Sequence, residues 1–369
     1  MEKTERIQII DFLRGISCIG ILLYHVRVDL WVGWWEIRNN PEVYSTITKA
    51  TAWLSIPTPF LGYAILLFFL ISGFCIHYPN TKPESQPSWK IYFIRRLFRI
   101  YPSYAIAVVL TSIIGYFSYR IWGDESWNIN RIIALITLSQ NYPPEIGQLL
   151  NNPSLWTIPL EFEFYILYPI VFYFILKEKF RIITIFAFFC TILSVYLFQS
   201  GIIWLSFTAI FFWPCWLLGA WLAQLYRDNN VKNFKFSHQL IALSVAMFFA
   251  LLASYKSWQW WVQYSTWTFF YFVFFIFCIT QEVFLKRLLG VQTFRIISWI
   301  GTISFSLYLI HFPIFRLMGH IHHEIFSEKP ANFLITLLYI VPVIYFSWIF
   351  YKKIEMPIHQ WSKKFVGRA

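Results

Sequence analysis

Arg14 and His25 stand eleven residues apart in DFLRGISCIGILLYH, a stretch otherwise apolar enough for lipid. At about 100° per residue, eleven steps bring both side chains to within about 20° of one helix face, separated by ~16 Å of rise. Ionisable groups deep in hydrocarbon are costly and face a cavity or a partner. A guanidinium grips phosphate, and an imidazole takes and gives protons near neutrality. Together the pair would make a site, with an arginine for phosphate at one end and a histidine base at the other. Asp11, three residues before Arg14, and Asp29, four after His25, offer plainer explanations by pairing with them, although a carboxylate there could also orient the imidazole.

Three further clusters carry polar groups inside greasy sequence. In YFIRRLFRIYPSY, Arg96 and Arg99 are i, i+3 and Arg95 and Arg99 i, i+4 on one helix, a set that would suit an anionic, nucleotide-like ligand. In NPSLWTIPLEFEFYILYP, Glu161 and Glu163 are two residues apart and therefore point to different faces, so one of them would share a site, as a partner for the histidine or an acceptor for a sugar hydroxyl. In GTISFSLYLIHFPIF, Ser304, Tyr308 and His311 follow i, i+4, i+7 spacing and make one face polar. Topology-setting charge, solvation near the interface and helix–helix hydrogen bonding are the respective plainer explanations.

The elements that must hold these groups are membrane helices. The chain of 369 residues is 58% hydrophobic and 13% charged with mean hydropathy +0.55, and its apolar residues come in long blocks. A hydrocarbon core of about 30 Å needs roughly 20 apolar residues per span. The sequence offers about ten, near 9–31, 60–78, 93–118, 155–176, 182–199, 202–225, 238–255, 264–281, 296–318 and 332–351. We therefore expect an all-α polytopic protein, one membrane-embedded domain over 1–369.

Basic residues alternate between the loops. Lys3, Arg6, Arg14, Lys82, Lys90, Arg95, Arg96, Arg99, Lys177, Lys179, Arg181, Arg227, Lys232, Lys235 and the later Lys286, Arg287, Arg295, Lys352, Lys353, Lys363, Lys364 and Arg368 fall on one side. Those are 22 of the 30 Lys and Arg, which places both termini in the cytoplasm. The formal charge of +12 then needs no nucleic acid. Glu2 and Glu5 dilute the N-terminal charge and no small-residue cleavage site follows, so the first apolar run is a span rather than a signal peptide. Cys18, Cys75, Cys190, Cys215 and Cys278 lie inside spans without metal-type spacing, and no metal is expected. Outside the membrane lie Trp31 to Pro59 and Tyr119 to Ser154. The latter contains RIIALITLSQ, too short to cross and therefore interfacial or re-entrant.

DFLRG with its downstream His25, FFLISGF, RRLFRIYPSY, LWTIPLEFEFYILYP and GTISFSLYLIHFP occur in the order seen in the membrane acyltransferase-3 family, which the chain resembles over nine of its ten spans. Similar proteins transfer an acyl group, usually acetyl from acetyl-CoA, to hydroxyls of surface carbohydrates or other extracytoplasmic acceptors through about ten helices. The resemblance implies Arg14, Arg96 and Arg99 as the donor-binding arginines, and His25 and Glu161 as the reacting pair. Asp11, Asp29, Ser72, Trp156, Tyr308 and His311 would support them. Thr157 stands where a serine is usual, Pro159 adds a helix breaker before Glu161, and Glu163 falls where glutamine is common. No SGNH-type domain follows, which implies the stand-alone form.

On this resemblance the protein is an O-acetyltransferase of the bacterial inner membrane. Its partners are acetyl-CoA, a carbohydrate acceptor such as an O-antigen or exopolysaccharide, and the bilayer, with an oligomer or accessory protein compatible and nucleic acid not. His25 would act as general base or as transient acyl carrier, and the sequence leaves both open. The rival class is a transporter or flippase of a glycan or lipid-linked intermediate, which would also carry buried charge and broken helices. Pro102, Pro159, Pro169, Pro214, Pro313 and Pro342 are candidate breaks.

Overall fold

In hydrocarbon each backbone amide must be satisfied inside the protein, and long apolar segments meet that demand by coiling into helices. The computed structural model describes residues 7–82, 85–125, 127–142, 144, 152–228, 231 and 235–366, in which helices and turns alternate without a strand. Lys3, Arg6, Lys232 and Arg368 of the basic series, Glu2 and Glu5, and 126, 143 and 145–151 of the 119–154 stretch lie outside the described residues.

The helices are α1 (Gln8–Asp29), α2 (Trp34–Asn39), α3 (Thr46–Ala52), α4 (Ile65–His77), α5 (Trp89–Trp122), α6 (Ile129–Ile136), α7 (Thr157–Leu176), α8 (Phe180–Gln199) and α9 (Ala209–Arg227). They continue with α10 (Phe236–Tyr255), α11 (Trp260–Thr280), α12 (Glu282–Leu289), α13 (Val291–Thr302), α14 (Ser304–Phe326), α15 (Phe333–Leu338), α16 (Ile340–Phe350) and α17 (Met356–Val366). A π-helical turn, Tyr351–Glu355, joins the last two. Nine stretches of the described residues are long and apolar enough to cross a membrane, and ten if α13 and α14 count as one broken span. The protein is thus an all-α, multi-pass membrane protein.

The ninth span differs from its sequence reading. A single helix over 296–318 is expected, but the ladder stops at Ile303, whose φ of −100° and ψ of 5° leave the helical range. The prolines differ too. Pro102, Pro169, Pro214 and Pro313 lie inside continuous helices, and Pro159 and Pro342 occupy first turns, where the amide has no intrahelical acceptor to lose.

Three interior prolines are accommodated in one way. Proline cannot donate to the carbonyl four residues back, so that oxygen needs another donor. Tyr92 Oη donates to Tyr165 O behind Pro169, Thr191 Oγ1 to Ile210 O behind Pro214, and Asn152 Nδ2 to Leu309 O behind Pro313. Side-chain repair of this kind lets membrane helices pass through proline without breaking.

Packing divides the chain into two compact units, each assembled from three separate stretches. The first holds 1–17, 63–92 and 158–302. In it α4 and α9 cross at paired glycines: a Cβ on Gly73 would meet Trp216 O at 2.0 Å, and one on Gly219 would meet Leu70 O at 2.0 Å. The start of α1 and α13 repeat the device, with Gly15 against Ile297 O at 2.0 Å and Gly301 against Asp11 O at 1.7 Å. Small residues at such crossings let backbones touch, which is how helices associate where lipid removes the hydrophobic drive. Phe12 stacks on Phe294 beside this second crossing, with ring centres 4.3 Å apart.

The second unit holds 18–62, 93–157 and 303–369. Here α14 packs on α16, and the stretch 31–59 is pinned by a buried cluster of Trp31, Ile37, Ala52 and Phe333. The short helix α6 ends under two tyrosines of α5, Tyr101 and Tyr104, whose hydroxyls donate to Ile136 O and Leu135 O. Thus RIIALITLSQ does not cross; beyond α6, Gln140 and Asn141 are fully buried.

Candidate active site

In the first unit, α4 gathers the predicted polar groups along one face. Its Ser72 and Cys75 are one turn apart, both half-buried. Arg14 donates from Nη2 to Cys75 Sγ at 3.3 Å, and its Nη1 lies 3.7 Å from Asp11 Oδ1. Asp11 therefore pairs with Arg14, as the i, i+3 spacing allows. One turn earlier on α4, Ser72 Oγ donates to Glu161 Oε1 at 2.8 Å, and Tyr165 Oη donates to the same oxygen at 2.7 Å. Trp216 Nε1 donates in turn to Ser72 Oγ at 3.2 Å. A carboxylate receiving two hydroxyl protons on one oxygen is held as an acceptor.

Glu161 and Glu163 do face different ways. Glu163 Oε2 accepts from the amide of Ala209, the first residue of α9, at 2.6 Å. It satisfies an orphan donor at a helix start and puts negative charge at the positive end of the dipole. Pro159, in the first turn of α7, leaves the helix around Glu161 intact.

In the second unit, the imidazoles of His25 and His311 lie side by side, ring centres 5.1 Å apart and tilted by 48°. His25 is half-buried between the rings of Tyr24, Phe312 and His311. Tyr308, one turn before His311, donates its hydroxyl to Ser154 O at 2.5 Å. With that hydrogen spent, Thr157 Oγ1, 2.7 Å away, is the donor to Tyr308 Oη, so the threonine does here what a serine hydroxyl could do.

The turn Pro153–Trp156 that carries Trp156 is tied down at three successive carbonyls. Ser154 O takes Tyr308, Leu155 O takes Gln140 Nε2 and Trp156 O takes Asn141 Nδ2. Asn152, fully buried, serves the proline helix α14 through Leu309 O and accepts from Ser154 Oγ at 2.5 Å.

Asp29 is placed elsewhere than its spacing from His25 suggests. Its Oδ1 lies 3.9 Å from Arg316 Nη1, and its carbonyl accepts from Lys329 Nζ. Arg316 also bonds Asp124 Oδ2 through Nε and Nη2, both at 3.2 Å. His320 adds a contact to Asp124 at 3.4 Å and stacks on Trp122. Asp29 thus closes a charged cluster joining the ends of α1, α5 and α14, because Arg316 is a stronger partner than a neutral ring. Arg96, half-buried, and Arg99, exposed, stand on α5 in this unit, where the neighbouring Phe98 meets Trp361 of α17 edge-on.

Several contributors escape sequence reading. Gln140, Asn141 and Asn152 spend their amides on main-chain carbonyls, and Glu355, in the π turn, accepts from Ser306 Oγ on α14. The available signal was an uncharged amide or a carboxylate inside apolar sequence. Gly15, which completes DFLRG, and Gly73, in FFLISGF, serve as crossing points. Among the described residues no three His, Cys, Asp or Glu side chains gather as metal ligands would, and all five cysteines are unbridged.

A family model described as an acyltransferase domain, Acyl_transf_3, matches residues 7–352. The chain belongs to the acyltransferase-3 family and is a membrane acyltransferase. No curated protein and no solved structure gives a significant match.

Proposed function

We propose that this protein moves an acetyl group from cytoplasmic acetyl-CoA to a hydroxyl of a cell-surface or secreted carbohydrate, acting as one domain over 1–369 in the inner membrane of a bacterium with both termini cytoplasmic. The observation that carries the chemistry is the pair of imidazoles on α1 and α14. Arg14 begins the same face of α1, about 16 Å of rise from His25, a distance comparable with an extended pantetheine arm.

Arg14, with Arg96 and Arg99, binds the donor's phosphates, since guanidinium groups match phosphate in bidentate fashion. His25 takes the proton of the acceptor hydroxyl as that oxygen attacks the thioester carbonyl; the C–O bond forms, the C–S bond breaks, and the proton passes to the leaving sulfur. The alternative order, with the acetyl group first on His25, uses the same atoms. Glu161, held by Ser72 and Tyr165, offers a fixed anion to an acceptor hydroxyl. Trp156, on its tethered turn, gives a sugar an aromatic edge.

The test is transfer of radiolabel from acetyl-CoA into host glycans by inverted membrane vesicles holding native protein or His25→Ala at equal expression. Label that enters glycan with the native protein and falls by tenfold or more in the variant is the expected result, the scale of a lost general base at about 10²–10⁴ or less. No consumption of thioester by either protein, with acceptor-rich membranes present, would move the function to transport of a glycan intermediate.

A further inference from the structure

We propose that His311 is a positioning residue for His25, accepting the ring N–H of His25 at its own Nε2 and leaving the second nitrogen of His25 to face the substrate. The inference rests on the reading of His25 as the reacting imidazole.

The protonation pattern of His311 follows from its neighbours. Its Nδ1 lies 3.1 Å from Leu307 O and 2.9 Å from Tyr308 O. Carbonyl oxygens only accept, so Nδ1 carries the hydrogen and donates to both. A neutral imidazole has one such hydrogen, which leaves Nε2 as a bare lone pair. That atom is buried and has no hydrogen-bond partner within the protein. A buried acceptor left unmet costs about 1–3 kcal/mol, so its persistence points to a donor that arrives during the work of the site.

The surroundings narrow that donor. Phe312 and Phe315 meet the His311 ring edge-on and have no hydrogen to give. The Tyr308 hydroxyl is committed to Ser154 O, and that of Thr157 to Tyr308. Among the rings that meet His311, His25 alone carries an N–H still to give, and at 5.1 Å between ring centres two imidazole nitrogens turned toward one another come within hydrogen-bond reach. Catalytic hydrogen bonds are commonly loose before substrate binds and tighten in the complex.

A neutral ring in this role suits a membrane. An imidazole that orients His25 fixes its tautomer as a carboxylate would, without placing a second charge in hydrocarbon. It also explains why Asp29 can be spent on Arg316. When His25 takes the proton of the acceptor hydroxyl, the bond to His311 Nε2 holds the imidazolium until that proton leaves on the thiolate.

Two substitutions separate this role from a structural one. Asparagine keeps an amide donor where Nδ1 stands and removes the acceptor at Nε2; glutamine places an acceptor near Nε2 and gives up the backbone donor. Purified protein in nanodiscs, with acetyl-CoA and acceptor glycan, is assayed for native, His25→Ala, His311→Asn and His311→Gln. We expect His311→Asn to lower kcat about tenfold or more with KM for acetyl-CoA within about twofold, and His311→Gln to keep about a third of native kcat. Activity in His311→Asn equal to or above that in His311→Gln overturns the proposal while leaving His25 in place; equal turnover by native and His25→Ala overturns the reading beneath it.

A measurement on the folded native protein stands beside the kinetics. Nitrogen-15 spectra of histidine-labelled protein in bilayers, assigned through His311→Gln, should show His311 with hydrogen on Nδ1 and its Nε2 signal displaced by His25→Ala. Hydrogen on Nε2 would overturn the proposal.

Discussion

Two glutamates two residues apart show how little identity says about task. Glu161 receives two hydroxyls along the polar face of α4, whereas Glu163 receives the first amide of α9. Glu161→Gln is expected to lower turnover about tenfold or more with little change in thermal midpoint. Glu163→Ala is expected to retain turnover per folded molecule and to lose roughly 0.5–2 kcal/mol of stability, the ordinary cost of an uncapped helix start. Activity and thermal unfolding of the two variants, in one detergent, check both. At this scale the sequence was legible wherever an ionisable group broke an apolar run: Arg14, His25 and Glu161 all stand out that way. Residue type and spacing were silent on the meeting of His25 with His311, 286 positions apart in the chain; the family resemblance named both, but only the packed fold brings α1 and α14 together.

At the scale of elements, the helix boundaries follow from apolar length and fall close to the blocks read from sequence, while the behaviour of proline does not. Whether a proline breaks a helix depends on whether something else reaches the carbonyl behind it, and that donor comes from a different helix or turn. The Asn152–Leu309 bond can be tested directly. Asn152→Ala leaves a buried carbonyl unmet and should cost roughly 1–3 kcal/mol. In a Pro313→Ala background the new amide can serve Leu309 O, so the same substitution should cost markedly less. A double-mutant cycle on thermal or denaturant unfolding measures the difference, and strictly additive losses would disprove the coupling. Gln140 and Asn141 were invisible for the same reason: their partners are backbone oxygens whose vacancy is a property of the fold.

At the scale of the whole molecule, the distribution of 22 basic residues against eight predicts a definite orientation. Val43, between α2 and α3, and Leu288, beside Lys286 and Arg287, are both exposed and fall on opposite sides by that reading. With Cys75 and Cys190 replaced by serine, Val43→Cys should react with an impermeant thiol reagent applied to intact spheroplasts, and Leu288→Cys only in inverted vesicles. The reverse pattern would place Arg14, Arg96 and Arg99 outside the cytoplasm and overturn the proposal of acetyl-CoA as donor.

The repaired prolines have a consequence in time. Tyr92 precedes Pro169, Thr191 precedes Pro214 and Asn152 precedes Pro313 in the chain. Synthesis runs from the N-terminus, so in each case the donor has left the ribosome before its proline emerges. A helix that would otherwise enter lipid with a bare carbonyl finds its partner already made, and the order of the residues becomes an order of assembly.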